Sequence, residues 1–255
     1  MTERSVALVT GSARGMGRAI ALRLASDGFD VAVNDIASQK DHLEALRGEI
    51  EELGKKAFIY IADVSKEDEV KAMVDGAVEG LGRLDVMVAN AGICPCASGL
   101  MDTTAEQWDH LFAVNTRGVF FCYKYAAIQM VKQGRGGRII GACSIAGMRA
   151  QGQFCPYSAS KFAVRGLTQS AAEELGAHQI TVNAYAPGFI DTPLTRTVYS
   201  GERFAENVHQ SEDAVALKKI GQPKDVASLV SYIASPESHF ITGQTVSVDG
   251  GWYFN

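Results

Sequence analysis

The chain has 255 residues, 47% of them hydrophobic and 21% charged, with a formal net charge of −5. That length and apolar share suit one large α/β domain better than two small ones. The mild acidic balance excludes a sequence-wide attraction to nucleic acid or to an anionic membrane surface. The sequence shows no charge block, low-complexity tract or internal repeat, and no segment approaches the ~18 uninterrupted apolar residues of a membrane span. The opening MTERSVALVTGSARG places polar and acidic residues ahead of its apolar run and reads as neither a signal peptide nor a transit peptide.

The cysteines, at 94, 96, 122, 143 and 155, are odd in number, which fits reduced thiols in a cytoplasmic protein. Cys94-Pro95-Cys96 lacks the two-residue spacing usual in redox and metal pairs. His42, His110, His178, His209 and His239 are scattered, so no metal site is expected.

Ser5 to Thr10 is a short apolar run that enters Gly11-Ser-Ala-Arg14-Gly15-Met16-Gly17, and helical periodicity follows. Strand, glycine turn and helix in that order let the backbone approach a pyrophosphate at the positive end of a helix. The spacing departs from the commoner G-x-G-x-x-G. Phe29 to Asn34 reads as a second strand ending at Asp35, eighteen residues past Gly17. An acid there accepts hydrogen bonds from an adenosine ribose and repels a 2′-phosphate, which favours NAD over NADP. Arg14 argues weakly the other way.

Ser38 to Leu53 is an amphipathic helix with a Gly54 stop. Ala57 to Ala62 is a third buried strand, ending at Asp63-Val64-Ser65, where Asp63 is placed either to cap the next helix or to bond an adenine amine. Lys66 to Gly80 is that helix. Leu84 to Ala89 is a fourth strand, running into the small-residue corner Asn90-Ala91-Gly92, against which a cofactor can lie.

Thr103 or Thr104 caps the next long helix, with Glu106 or Gln107 completing a capping box. This helix is interrupted near 115–118, and Asn115, polar within an apolar stretch, needs a local bonding reason to be there. Gly137 to Ala142 and Gln179 to Ala184 are strands five and six. Between them, SIAGMRAQGQFCPYSASK carries Ser144 at a strand end and puts Tyr157 and Lys161 four residues apart on one helical face. A tyrosine hydroxyl titrates near ~10 in water, and a lysine one turn away stabilises its phenolate. A serine hydroxyl beside it can hydrogen-bond a substrate oxygen. The alternative reading is a pair of amphipathic side chains on a surface helix.

The sixth strand gives way to Pro187-Gly188, then Phe189-Ile190-Asp191-Thr192-Pro193. From Leu194 to about Gly221 the chain turns polar and irregular, a length that suits a lid over a pocket, with the lid region taken as 189–221. Pro223 opens a helix to Ala234, and Gln244 to Val248 is a last strand before Asp249-Gly250-Gly251. Alternating strands and helices give a doubly wound, parallel, seven-stranded sheet with helices on both faces, spanning 1–255 as one domain, and ligands bind beyond the carboxyl ends of its strands. Gly11, Asp35, Asp63, Asn90, Ser144 and Pro187 all fall at those ends.

Together, Thr10-Gly11-x-x-x-Gly15-x-Gly17, Asp63, Asn90-Ala91-Gly92, Asn115, Ser144, Tyr157-x-x-x-Lys161, Pro187-Gly188, Thr192 and Asp249-Gly250-Gly251 resemble the short-chain dehydrogenase/reductase family over essentially the whole chain. Ala89 stands where the family often has a second asparagine. The resemblance implies a single-domain Rossmann fold that binds NAD(H) and no metal, with Tyr157 as general acid/base. Lys161 would lower its pKa and bind the nicotinamide ribose, Ser144 would orient the substrate oxygen, and Asn115 would hold a water that relays protons from the lysine. Gly11, Arg14, Gly15, Met16, Gly17, Asp35, Asp63, Val64, Asn90, Ala91, Gly92, Pro187, Gly188, Ile190 and Thr192 would complete the cofactor site, with Thr192 and the Ile190 backbone on the carboxamide.

Within the family, ACSIAG, YSASKFAVRGLTQSAAEEL and ITVNAYAPG are similar to the acetoin reductases, also called 2,3-butanediol dehydrogenases. This implies a small alcohol or ketone partner, held by Ser144, Ile145, Gln151, Phe154, Tyr157 and Phe189, with Met148 a further pocket candidate. Polyol dehydrogenases and 3-ketoacyl-carrier-protein reductases are alternatives, as is a non-catalytic dinucleotide sensor. The resemblance also implies a homotetramer, and Ser158, Ala159, Ala163 and Ala171 form a small-residue face suited to helix pairing.

Overall fold

The computed structural model describes residues 5–94, 99–199 and 202–254. Cys96 of the Cys-Pro-Cys run and the first four residues of the opening segment lie outside the described residues. Strands β1 (Val6–Thr10), β2 (Asp30–Asp35), β3 (Ala57–Ile61), β4 (Val86–Ala89), β5 (Gly137–Ala142), β6 (Ile180–Pro187) and β7 (Thr245–Val248) form one sheet in the order β3-β2-β1-β4-β5-β6-β7. Every pairing in it is parallel.

Helices α1 (Gly15–Ser26), α2 (Lys40–Glu52), α3 (Glu67–Leu81), α4 (Ala105–Phe112), α5 (Gly118–Gln133), α6 (Cys155–Leu175), α7 (Pro193–Val198), α8 (Glu202–Ala214) and α9 (Pro223–Ala234) connect the strands. Successive strand residues point to opposite faces. Leu8, Ala32, Met87, Ile139 and Val182 therefore pack with α3, α5 and α6, whereas Val9, Val33, Val88 and Ile140 pack with α1, α2 and α9. Burial on both faces explains why the strands read as nearly continuous apolar runs. The exceptions are the two edge strands: β3, expected to be buried, and β7 are only half-buried.

Thr104, rather than Thr103, caps α4, and Gln107 closes the capping box. The break expected near 115–118 is a π-turn, Ala113–Arg117, between α4 and α5. The stretch from Leu194 onward departs from the irregular course read from its polarity, because it contains α7 and α8. Thr192 and Thr195 form a capping box that starts α7, with Pro193 in its first turn. On α8, Asn207, Gln210, Ser211 and Ala214 share one helical face. The chain leaves the sheet and returns at one place. Ile190 and Gly221 form a parallel bridge in which Asp191 N donates to Gly221 O and Gly221 N donates to Phe189 O, both at 3.0 Å.

Of the small-residue face expected on α6, Ser158 is buried and accepts from Gln151 N (3.3 Å), and Ala171 packs on the core. The exposed apolar side chains of this layer are instead Trp108, Phe120, Ile128, Val131 and Phe162.

Candidate active site

The sheet order reverses between β1 and β4, and their carboxyl ends open a cleft. Gly11 turns with φ +62°, and a Cβ at Gly17 would meet the Gly11 carbonyl at 2.2 Å, so the loop closes only without that side chain. Asn90 braces it: Nδ2 donates to Thr10 O (2.8 Å) and Gly11 O (3.1 Å), and Oδ1 accepts from the buried Tyr185 hydroxyl (2.8 Å). Thr10 Oγ1 accepts from the amides of Asn90 and Ala91, both at 3.0 Å. Asp35 Oδ2 accepts from Ala13 N (3.2 Å), tying β2 to the same loop.

The cleft encloses about 320 Å³ and is lined by Gly11, Arg14, Gly15, Met16, Gly17, Asp35, Asp63, Val64, Asn90, Ala91, Gly92 and Thr192. These residues fit a dinucleotide. No side chain caps α1 and its first turn carries no acid, so its amino-terminal end is left open to an anion. Asn34 Oδ1 and Gln39 Oε1, on residues of the same lining, are buried without a hydrogen-bond partner, and an adenosine can supply donors. Asp63 does not cap α3, whose N-cap is Lys66; it accepts from Ser65 N (2.9 Å) in the turn before the helix. Pro187 is buried at the end of β6, and Gly188 borders a second cavity. Ile190 is buried among core side chains, and its carbonyl accepts from Thr195 Oγ1 (2.8 Å). The Thr192 hydroxyl is also the cap of α7.

Ser144, at the end of β5, and Tyr157, in the first turn of α6, border the second cavity, and Lys161 lies one turn further along the helix. Ser144 Oγ accepts from Ala146 N (3.1 Å). The Lys161 ammonium is buried, donates to Ala142 O (2.9 Å) and lies 5.5 Å from the Tyr157 ring centroid. Burial pushes the Tyr157 hydroxyl above its ordinary value of 10.0; Cys94 adds to the rise, and a hydrogen bond with Ser144 opposes it. Lys161 was expected to lower this pKa. Burial is the largest influence on the hydroxyl, because it disfavours the charged phenolate. Burial likewise lowers the Lys161 ammonium below 10.5.

Asn115, within the π-turn, does not bond its own helix. Its Oδ1 accepts from Ile93 N and its Nδ2 donates to Ile93 O, both at 2.8 Å, with a further donation to Ser160 Oγ (3.3 Å). A Cβ at Gly92 would lie 3.3 Å from Asn115 Oδ1 and 3.5 Å from Lys161 Nζ. The glycine thus leaves a small space between the two polar groups.

The second cavity, about 480 Å³, is lined by Ser144, Ile145, Gln151, Phe154, Tyr157 and Phe189, all expected from the sequence. Met148 instead packs against the core. Sequence reasoning missed Cys94, Leu194, Val198, Tyr199, Asn207, Gln210, Trp252 and Tyr253 in this lining. The i, i+3, i+4, i+7 spacing on α8 was the available signal for its inward face. Rings run in succession from Tyr157 to Phe154 (centroids 6.4 Å apart), Tyr199 (6.2 Å), Phe189 (5.6 Å) and Phe204 (6.2 Å).

The family described as enoyl-(acyl carrier protein) reductase matches residues 11–253. A short-chain dehydrogenase/reductase of Armillaria gallica is 51% identical over 257 residues, covering 100% of this chain and 98% of the relative. The L-2,3-butanediol dehydrogenase of Corynebacterium glutamicum is 40% identical, covering 98% of this chain and 99% of the relative. A 3-oxoacyl-[acyl-carrier-protein] reductase of Staphylococcus aureus is 43% identical over 97% of both chains. The crystal structure of an acetoin dehydrogenase from Salmonella typhimurium superposes with a TM-score of 0.87 at 35% identity, covering 99% of both chains. The chain belongs to the short-chain dehydrogenase/reductase family of nicotinamide-dependent oxidoreductases, which act on CH–OH and C=O groups.

Proposed function

We propose that this protein is an NAD(H)-dependent oxidoreductase that interconverts a neutral secondary alcohol and its ketone, with Tyr157 as the general acid/base. The observation that carries the reading is the convergence of Ser144 and Tyr157 on one cavity, with Lys161 one helical turn behind. The bound nicotinamide supplies or accepts the hydride. In reduction the Tyr157 hydroxyl gives its proton to the carbonyl oxygen while the Ser144 hydroxyl holds that oxygen by a hydrogen bond. Burial keeps the proton on Tyr157 at neutral pH, which is the form a reduction consumes. Alcohol oxidation consumes the phenolate and rises with pH.

Lys161 steadies the phenolate when it forms and reaches the nicotinamide ribose. Asn115 Oδ1 and the Lys161 ammonium hold a relay water in the space beside Gly92. Gly11, Arg14, Gly15, Met16 and Gly17 cradle the pyrophosphate, Asp35 takes the adenosine ribose and excludes a 2′-phosphate, and Asp63, Val64 and Asn90 to Gly92 wall the cleft. Gly188, Ile190 and Thr192 take the carboxamide end. Residues 189–221 act as the lid.

Acetoin, diacetyl and 2,3-butanediol are the small substrates that the sequence resemblance implies, and relatives named for 2,3-butanediol and for acetoin support two of them. A carrier-bound ketoacyl group is the second reading, supported by the staphylococcal relative. The free thiols of Cys122, Cys143 and Cys155 support a cytoplasmic location. The exposed apolar side chains on α4, α5 and α6 support a homotetramer. Tyr157→Phe tests the mechanism. NADH-driven reduction should fall at least ~1,000-fold while dinucleotide binding persists, and unchanged turnover would sink it.

A further inference from the structure

We infer that the preferred substrate is a bulky, ring-bearing, uncharged alcohol or ketone with an apolar body, rather than a four-carbon hydroxyketone, a polyol or a carrier-bound thioester. This rests on the oxidoreductase reading above and specifies the substrate of the same site. The side chains that share the cavity with Tyr157 and Ser144 are mostly apolar, among them Ile145, Phe154, Phe189, Leu194, Val198 and Trp252, with Gln151 one of its few carboxamides. A sugar alcohol placed there would leave several of its hydroxyls against apolar walls, desolvated and unpaired.

Val198, Tyr199, Trp252 and Tyr253 line the same cavity. At about 30 Å³ per water-sized group, its 480 Å³ holds on the order of fifteen such groups. A nicotinamide ring entering beside Gly188 takes part of this room, and the aromatic end remains for the body of the substrate. No charged side chain lines the cavity among the described residues, which disfavours carboxylate and phosphate substrates. The carboxamides of Asn207 and Gln210 on α8 also line the cavity. They suit a single hydroxyl or carbonyl at the distal end of the apolar body.

The test measures kcat/KM of the purified protein with NADH for acetoin, cyclohexanone, 2-decalone, acetoacetate and a short ketoacyl thioester. Each methylene moved from water into an apolar wall strengthens binding about fourfold. The bicyclic ketone should therefore exceed acetoin by at least about 50-fold, mainly through KM. Filling the cavity by Val198→Trp, or by Ala214→Phe should the first fold poorly, should cut the decalone-to-acetoin ratio at least about tenfold. That ratio is insensitive to the fraction of folded enzyme. Acetoin equal to or better than decalone, preference for acetoacetate or the thioester, or an unmoved ratio in the filled variants overturns the inference and leaves the oxidoreductase reading standing. If no ketone is reduced with NADH or NADPH while dinucleotide still binds, the oxidoreductase reading fails and the inference with it.

Discussion

Replacing Asn90 by Ala removes the brace between the glycine loop and β6, and its cost can be worked from the bonds it makes. The substitution deletes two donations, to Thr10 O at 2.8 Å and Gly11 O at 3.1 Å, and strips the partner from the Tyr185 hydroxyl. Tyr185 is 0% exposed, so that hydroxyl cannot turn to solvent. An orphaned buried donor costs ~1–3 kcal/mol and each lost neutral bond ~1 kcal/mol, which gives about 3–5 kcal/mol in all. At ~2–4 °C per kcal/mol for a chain of this size, the melting temperature should fall by about 6–20 °C at fixed protomer concentration. Tyr185→Phe alone should cost about 1 kcal/mol. The double variant should be milder than the sum by about 1–2 kcal/mol, because it leaves no orphaned hydroxyl. The assay is thermal and urea unfolding of the four proteins by circular dichroism, with NADH affinity measured by fluorescence. Affinity should weaken about tenfold wherever Asn90 is absent and hold in Tyr185→Phe, where Asn90 still grips the loop. A coupling below about 0.5 kcal/mol, or a loss of affinity that tracks Tyr185 instead, would refute the reasoning.

Gly17→Ala drives a methyl into the Gly11 carbonyl and the Asn90 amide, so NADH affinity should drop at least ~10-fold by calorimetry, and an unchanged value would mean that the loop is not the dinucleotide cradle. Asp35→Ser should narrow the preference for NADH over NADPH by at least ~10-fold in kcat/KM, and an unaltered ratio would place discrimination elsewhere. Lys161 has its folded pKa lowered by burial from 10.5, so its ammonium destabilises the fold at every pH below that. Lys161→Met should therefore abolish turnover yet raise the melting temperature by a few degrees near neutrality, a gain that shrinks as pH climbs toward the unfolded value. A variant that melts lower at all pH values from 6 to 9.5 would contradict this.

The strands, the order of the elements and the residues at the strand ends were legible because a parallel sheet covered on both faces forces apolar runs, and chemistry collects where those runs stop. Asn115 marked the other limit. Its polarity within an apolar helix signalled a bond, but its partner, Ile93, lies 22 residues away across a tertiary contact that periodicity does not encode. Tyr157 was similar: the lysine one turn on was visible, whereas the burial that raises its pKa, and the additions of Cys94 and Tyr199 to that rise, depend on tertiary neighbours. The cover over the cavity was misread for a different reason. The residues of α8 are polar on average, and composition averaged over the segment hid the inward row of Asn207, Gln210, Ser211 and Ala214. Trp252 and Tyr253, near the far end of the chain, carried no local mark of the pocket they reach.

The bridge between Ile190 and Gly221 makes everything between them a cassette. Both ends of the insert are fastened to each other by main-chain bonds, so its length and contents impose no tension on β6 or on α9. Closing a longer loop costs only about 0.6 kcal/mol per doubling of its length. An exchanged segment from a relative would meet the same docking points, Phe189 and Gly221, while Ser144, Tyr157 and the glycine loop stay undisturbed. One wall of the cavity is thus carried by a segment anchored at both ends to the sheet that bears Ser144.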